Sequence, residues 1–214
     1  MDKKDITIVL GTAHRMREPG KESPDKRLKE CVYSREIVKD IAAVLKSYEY
    51  IVEIDYEPLD LPKTAQTSSS KLERNRELAL RVNIVNDICK KRGAKNVLYV
   101  SIHNNASGSD GKWHDPQGWC VMVSNKASQN SKILADCLFD AAKSNGLKTR
   151  QPLPTQKYWP QSLYVLNNTQ CPAVLTENLF QDNKSDVDFL LSEEGRHAIT
   201  RLHIEGIIRY IEKL

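Results

Sequence analysis

A chain of 214 residues has the volume for one domain with a real core, and its 40% hydrophobic and 28% charged content is that of a soluble globular protein. No apolar run approaches the ~20 residues of a membrane helix, which excludes a spanning segment of that kind. The net charge is +4, from 32 basic and 28 acidic residues spread along the chain. A solvated surface is the first reading of that balance, and attraction to an anionic polymer (nucleic acid or bacterial cell wall) the second.

The chain starts MDKKDITIVLG. Charges precede a short apolar run, whereas an export signal needs a longer apolar stretch and a small-residue cleavage site. No export signal is visible, and residues 6–10 read as the first strand. From 28 to 48, Ile37, Val38, Ile41, Val44, Leu45 and Tyr48 recur at the spacing of one helix face. Residues 51–56 form a second strand, and 58–70, rich in Pro, Ser and Thr, a surface loop. Leu78, Val82, Val85, Ile88 and Cys89 predict a helix over 71–92, with Gly93 as its stop. Further strands are expected at 97–102, 119–124 and 173–176, and further helices at 127–145 and about 193–213. The loop 108–118 is rich in Gly, Pro and Asp, and 148–162 holds three prolines and suits a cleft cover. Strands alternating with helices predict a single α/β domain over 1–214. Its central sheet of about six strands, mostly parallel or mixed, is flanked by helices.

Five cysteines, at 31, 89, 120, 137 and 171, form no CxxC pair and are odd in number, so a disulfide framework is not expected. They read as small buried hydrophobes.

Ligands of open α/β sheets collect at the carboxyl ends of the strands. ITIVLGTAH leads from the first strand to His14, VLYVSIH ends at His103, and AVLTE ends at Glu177. Two histidines and a carboxylate with one open position make a hydrolytic zinc site, and a further carboxylate can act as general base. Besides Glu177, the start of the first helix, KRLKECVYSREIV, offers Glu30 and Glu36. Glu30 lies in the turn nearest the His14 loop and is the better placed.

Four motifs in this order, VLGTAHR, LKECVYSREIVKDIAAVL, SIHNNA and CPAVLTENLF, resemble the zinc-dependent N-acetylmuramoyl-L-alanine amidases often called amidase type 3. The resemblance runs from about residue 5 to the C-terminus. It implies Zn²⁺ held by His14, Glu30 and His103, with Glu177 taking a proton from the attacking water and passing it to the departing amine. The implied substrate is peptidoglycan or a muramyl peptide, cut between N-acetylmuramic acid and L-alanine. ERNRELALRVNIVN is similar to the arginine- and asparagine-bearing helix before the second histidine. Arg150 stands where the family often has a substrate-groove arginine, and Asn105 is a second substrate-binding candidate. The family's first motif usually reads Gly-His-Gly-Gly; here Ala13 and Arg15 flank the histidine, and the loop RMREPGKESPDK is unusually charged.

Structural readings stand beside these. Asn104 and Asn105 suit a turn after a strand end as well as a donor to substrate or to a ligand histidine. His203 falls on an apolar stripe and reads as a satisfied core histidine, and His114 as an exposed loop histidine. Trp113, Trp119 and Trp159 read as packing, Glu36 as a solvated helix residue, and Glu18 and Glu22 as surface charges. A zinc carboxypeptidase is one rival, but it commonly has the first histidine and glutamate three apart, and here that position is Arg17. A non-catalytic wall-binding module is the other, against which stand the three ligand types and Glu177. No basic helix or aromatic–basic interleaving supports nucleic-acid binding. The expected protein is a monomer that acts on the cell wall, exported or released by lysis, with no membrane partner.

Overall fold

The computed structural model describes residues 5–214; the charged start at 1–4 lies outside them. Among the described residues six strands form one sheet: β1 (Thr7–Gly11), β2 (Ile51–Ile54), β3 (Val97–Asn105), β4 (Cys120–Ser124), β5 (Trp159–Gln161) and β6 (Ala173–Phe180). Their order is β2-β1-β3-β6-β4-β5. Neighbours are parallel except β4, which runs antiparallel to β6. The sheet is therefore mixed. Its fifth strand lies in the stretch expected to be a loop at 148–162, where Pro160 is tolerated because β5 is an edge strand.

The helices are α1 (Glu30–Ser47), α2 (Ser70–Arg92), α3 (Gln129–Ser144), α4 (Tyr164–Asn168), α5 (Lys184–Leu191) and α6 (Glu193–Ile211). The short α4 and α5 were not foreseen. The four longer ones start within two residues of expectation because local signals set them. The Ser69, Ser128 and Ser192 side chains accept hydrogen bonds from backbone N–H groups in the first turns of α2, α3 and α6.

Strand alternation sorts the core into two layers. Ile8, Leu10, Leu98, Val100, Ile102 and Val174 pack with α1, α3 and α6 on one face. Val9, Val97, Tyr99, Ala173 and Leu175 pack with α2 and α4 on the other. Each fully buried aliphatic chain contributes roughly 1.5–3 kcal/mol. Gly206 lets α6 close on α3: a Cβ there would collide with Leu138.

Two strands run further than the sequence suggests. β3 continues through His103 to Asn105, and β6 continues through Glu177 to Phe180. His103 and Glu177 are therefore cross-strand partners inside the sheet rather than residues at strand ends. The register then shifts: Asn105 pairs with Phe180, so β6 carries one extra residue. Leu179 absorbs it at φ 63°, the local backbone signature of a bulge. The turn reading for Asn104 and Asn105 is corrected by the same observation, since both belong to β3.

Candidate metal centre

Gly11, at the end of β1, leaves room for the Tyr99 ring on β3 and allows the close strand approach there. The chain then turns, and His14 adopts φ 42°, a left-handed conformation that strains a residue with a Cβ by about 1–3 kcal/mol. Hydrogen bonds hold it there. The His14 carbonyl accepts from Arg35 Nη2 at 3.0 Å and from Arg81 Nη2 at 3.3 Å. Ala13 N–H donates to Ser34 Oγ at 2.9 Å, and Ser34 Oγ–H donates to the Ile102 carbonyl at 2.6 Å.

Glu30 opens α1, where a carboxylate also meets the positive end of the helix dipole. It is fully buried. His103 Nδ1 lies 3.1 Å from its Oε1, and His14 Nε2 lies 3.3 Å from its Oε2. The two imidazole rings meet edge to face with centroids 5.0 Å apart. One ligand atom from each of His14, Glu30 and His103 can be chosen so that all lie within 4.8 Å of one another. Burial opposes the Glu30 charge, but the adjacent His14 and His103 outweigh it and hold the carboxyl well below its usual range. Burial lowers the His103 imidazole, against the pull of Glu30. Glu36, the other candidate on α1, is exposed and pairs with Arg196 at 2.6 Å.

These residues fit a metal ion. Glu30 Oε2 is buried and makes no hydrogen bond of good geometry with the described residues; only the ion-pair approaches of His14 Nε2 at 3.3 Å and Lys21 Nζ at 3.8 Å meet it. Asn104 N–H fixes the other oxygen at 3.1 Å. Two imidazole nitrogens and a carboxylate suit zinc and neighbouring first-row cations.

Glu177 lies on the same cavity, which has a volume of about 430 Å³. Lys21, Arg81, Met122, Leu163 and Tyr164 also line it. Period-two alternation puts His103 and Glu177 on the α2/α4 side of the sheet, beyond Tyr99 and Leu175. Glu177 Oε2 has no hydrogen-bond partner among the described residues. Burial, helped by the Glu30 charge and opposed by Lys21, pushes its carboxyl up to about 8. A larger hollow of about 600 Å³, beside the start of α3, is lined by residues such as Lys95, Ser128 and Asn130 but by no histidine or carboxylate.

The other expected residues divide. Asn105 lines the cavity, and its Oδ1 accepts from Ala106 N–H at 2.9 Å. Arg150 does not line it: its guanidinium lies 4.8 Å from the Phe180 ring centroid. Asn104 is buried and donates through Nδ2 to the Asn178 carbonyl at 2.6 Å. His203 is a satisfied core histidine, bonded to Thr176 Oγ1 at 2.9 Å and to the Ile199 carbonyl at 2.7 Å. His114 is a partly exposed loop residue beside Asp110. Trp119 packs in the core and donates to Asn178 Oδ1 at 2.7 Å, whereas Trp113 is exposed and does not pack as expected. All five cysteines are buried and free.

Glu18 corrects the surface reading. It is 5% exposed and ion-paired to Arg15 and Arg74. Arg15 is itself buried and reaches Glu73 on α2 at 3.0 Å. The charged loop after His14 thus packs on α2 through ion pairs. A neighbouring cluster was also missed. Buried Arg81 donates to both oxygens of Asp55 at 2.9 and 3.0 Å and to Glu77 Oε1 at 2.9 Å. Tyr99 OH donates to Asp55 at 2.9 Å. The available signal was a charge on an apolar stripe: Arg81 stands three residues after Leu78 and four before Val85.

Residues 8–209 match the family profile of the N-acetylmuramoyl-L-alanine amidases called Amidase_3. The chain belongs to this family. It is 34% identical over 118 residues to the endolysin of Bacillus phage SPP1, covering 55% of this chain and 41% of that one. It is 26% identical over 217 residues to the probable cell wall amidase LytH of Staphylococcus saprophyticus, covering 98% of this chain and 60% of that one. The chain thus spans roughly half the length of these relatives. Its fold matches the CwlD amidase of Clostridioides difficile, seen in complex with the GerS lipoprotein, with TM-score 0.81 and 23% identity over 98% of this chain and 100% of that one. Among the described residues of this amidase-family chain, no helix is long and apolar enough to cross a membrane.

Proposed function

We propose that this protein hydrolyses the amide between N-acetylmuramic acid and L-alanine of peptidoglycan, with Zn²⁺ held by His14, Glu30 and His103 and with Glu177 as the proton-transfer residue. The observation that carries the reading is the convergence of those three side chains beside a partnerless Glu177 carboxyl, in a chain of the amidase family. When bound, the ion supplies Lewis-acid polarisation of the carbonyl and a water made more acidic. Glu177 takes the proton released as water attacks the carbonyl carbon and delivers it to the leaving amine. Burial and the Glu30 charge raise the Glu177 carboxyl in the metal-free protein, which favours the protonated form that delivers to the amine, while a cation held beside it would favour the carboxylate that first accepts the proton. The Glu30 carboxylate and the braced His14 backbone keep the ligand set preformed, and the apolar wall of Met122, Leu163 and Val165 limits water around the scissile bond.

Action on the cell wall follows from this substrate, reached by export or by release on lysis. Asn105 would donate to substrate through Nδ2, which here meets Cys120 Sγ at 4.0 Å; Arg150, stacked over Phe180, would act from outside the cavity.

The test is Glu177→Gln. Turnover of a muramoyl-peptide substrate should fall by about 10²–10⁴-fold, with one zinc still bound per chain by elemental analysis. Full activity in that variant removes Glu177 from the mechanism. Product analysis separates the peptidase alternative: intact stem peptides with a new alanine N-terminus support the amidase, and single C-terminal residues contradict it.

A further inference from the structure

Arg35 is a buried arginine on α1 whose contacts are all with main-chain carbonyls. Its Nε donates to the Glu57 carbonyl at 2.9 Å. Nη1 donates to the carbonyls of Ala13 at 2.8 Å and Cys31 at 2.7 Å. Nη2 donates to those of His14 at 3.0 Å and Pro58 at 2.7 Å. No carboxylate pairs with it among the described residues, so its charge is spent on backbone dipoles.

The positions of those carbonyls matter more than their number. Ala13 and His14 belong to the β1–α1 loop, Cys31 follows Glu30 in the first turn of α1, and Glu57 and Pro58 lie beyond β2. One rigid guanidinium thereby joins the backbone at His14 to the backbone beside Glu30. It also bonds the carbonyl of the one residue in that loop segment that carries a left-handed φ with a side chain aimed at Glu30. Ser34, its neighbour on α1, repeats the device on the other side, linking Ala13 N–H to the Ile102 carbonyl just before His103.

We propose that Arg35 is a positioning residue of the metal centre: it locks the His14 loop onto the first turn of α1, so that the His14 and Glu30 side chains face one cation before that cation arrives. The inference rests on the reading that His14, Glu30 and His103 hold a divalent metal. A planar fork with five donors spans carbonyls that a lysine ammonium, a single point with three donors, cannot span together. Loss of the brace lets the loop relax from its strained backbone and separates the ligands, and support of this kind is typically worth 10–100-fold in metal affinity.

The experiment uses the full chain, stripped of metal, with zinc alone titrated against a chromophoric chelator. Three proteins are compared: wild type, Arg35→Lys, and Leu202→Ala, a cavity variant in the α6 core that is destabilised far from the site. Urea unfolding of each metal-free protein reports the stability loss. The expected result is 10–100-fold weaker zinc binding in Arg35→Lys, with wild-type affinity in Leu202→Ala. Wild-type affinity in Arg35→Lys overturns the proposal, and so does an equal loss in Leu202→Ala, which would make the effect one of general stability. Should the lysine variant fail to fold, Arg35→Gln is read by the same two outcomes. A wild-type protein that binds no zinc instead overturns the metal reading itself, which distinguishes that failure from failure of the brace.

Discussion

Thr176 and Glu177 are neighbours on β6, and strand alternation sends them to opposite faces of the sheet. On the Thr176 side the histidine is closed off, although Tyr33 OH in the same layer has no hydrogen-bond partner among the described residues: Thr176 Oγ1 meets His203 Nε2, and His203 Nδ1 meets the Ile199 carbonyl. On the Glu177 side carboxyl oxygens are left open: Glu177 Oε2 and Glu30 Oε2 are buried without hydrogen bonds from the described residues. Each face has a histidine next to the same strand, His203 fully buried and His103 half-buried, so burial does not single out the functional one. What separates the two sides is the carboxyl oxygens beside the histidine, since His103 itself meets Glu30 Oε1 and Ser101 Oγ, each at 3.1 Å, while Glu30 Oε2 and Glu177 Oε2 have no hydrogen bond among the described residues. An incomplete buried polar set is costly, and at Glu30 and Glu177 the proposed cation and substrate would complete it.

The cavity side also contains a closed set, the Arg81–Asp55–Glu77 cluster, and this gives the sharpest way to probe the contrast. Arg81→Met leaves Asp55 buried without its cation and Glu77 with Arg15 alone, 3.5 Å away. Unfolding in urea should show a loss of about 3–5 kcal/mol, larger than any other single change described in this section. A loss below about 1 kcal/mol would mean that these groups are not a closed set and that the contrast fails. His203 offers a smaller effect from the opposite face. Burial pulls its imidazole down to about 4, whereas an unfolded chain titrates near 6.5. Below pH 6.5 the unfolded chain therefore binds a proton that the folded chain refuses until about pH 4. The stability due to the neutral ring is complete above pH 6.5 and is lost as the pH falls through that window, by up to about 3 kcal/mol. Metal-free wild type should weaken more steeply between pH 6.5 and 4 than His203→Gln. Equal slopes would show that His203 is not held neutral by the core.

The long helices and five of the six strands were legible because their signals are local: apolar spacing, serine caps and short β-branched runs. β5 was not, since WPQ carries no alternation and a proline, and pairs only along an edge. The continuation of β3 and β6 through His103 and Glu177 was also hidden, because polar residues inside a strand look like its end. The family motifs named His14, Glu30, His103 and Glu177, and the fold brings the first three within ligand distance. Arg35, Ser34 and Arg81 escaped notice because their partners are backbone groups and distant carboxylates that only the tertiary structure supplies. Glu18 was misjudged for a related reason: its burial depends on Arg15 and on Arg74 of α2, far along the chain.

The most direct measurement is anomalous diffraction at the zinc edge from crystals of the zinc-loaded protein. The account predicts one strong peak within coordination distance of His14, Glu30 and His103, with Glu177 on the open side. A zinc-loaded, amide-cleaving protein whose peak lies elsewhere, or touches none of those three side chains, would contradict it.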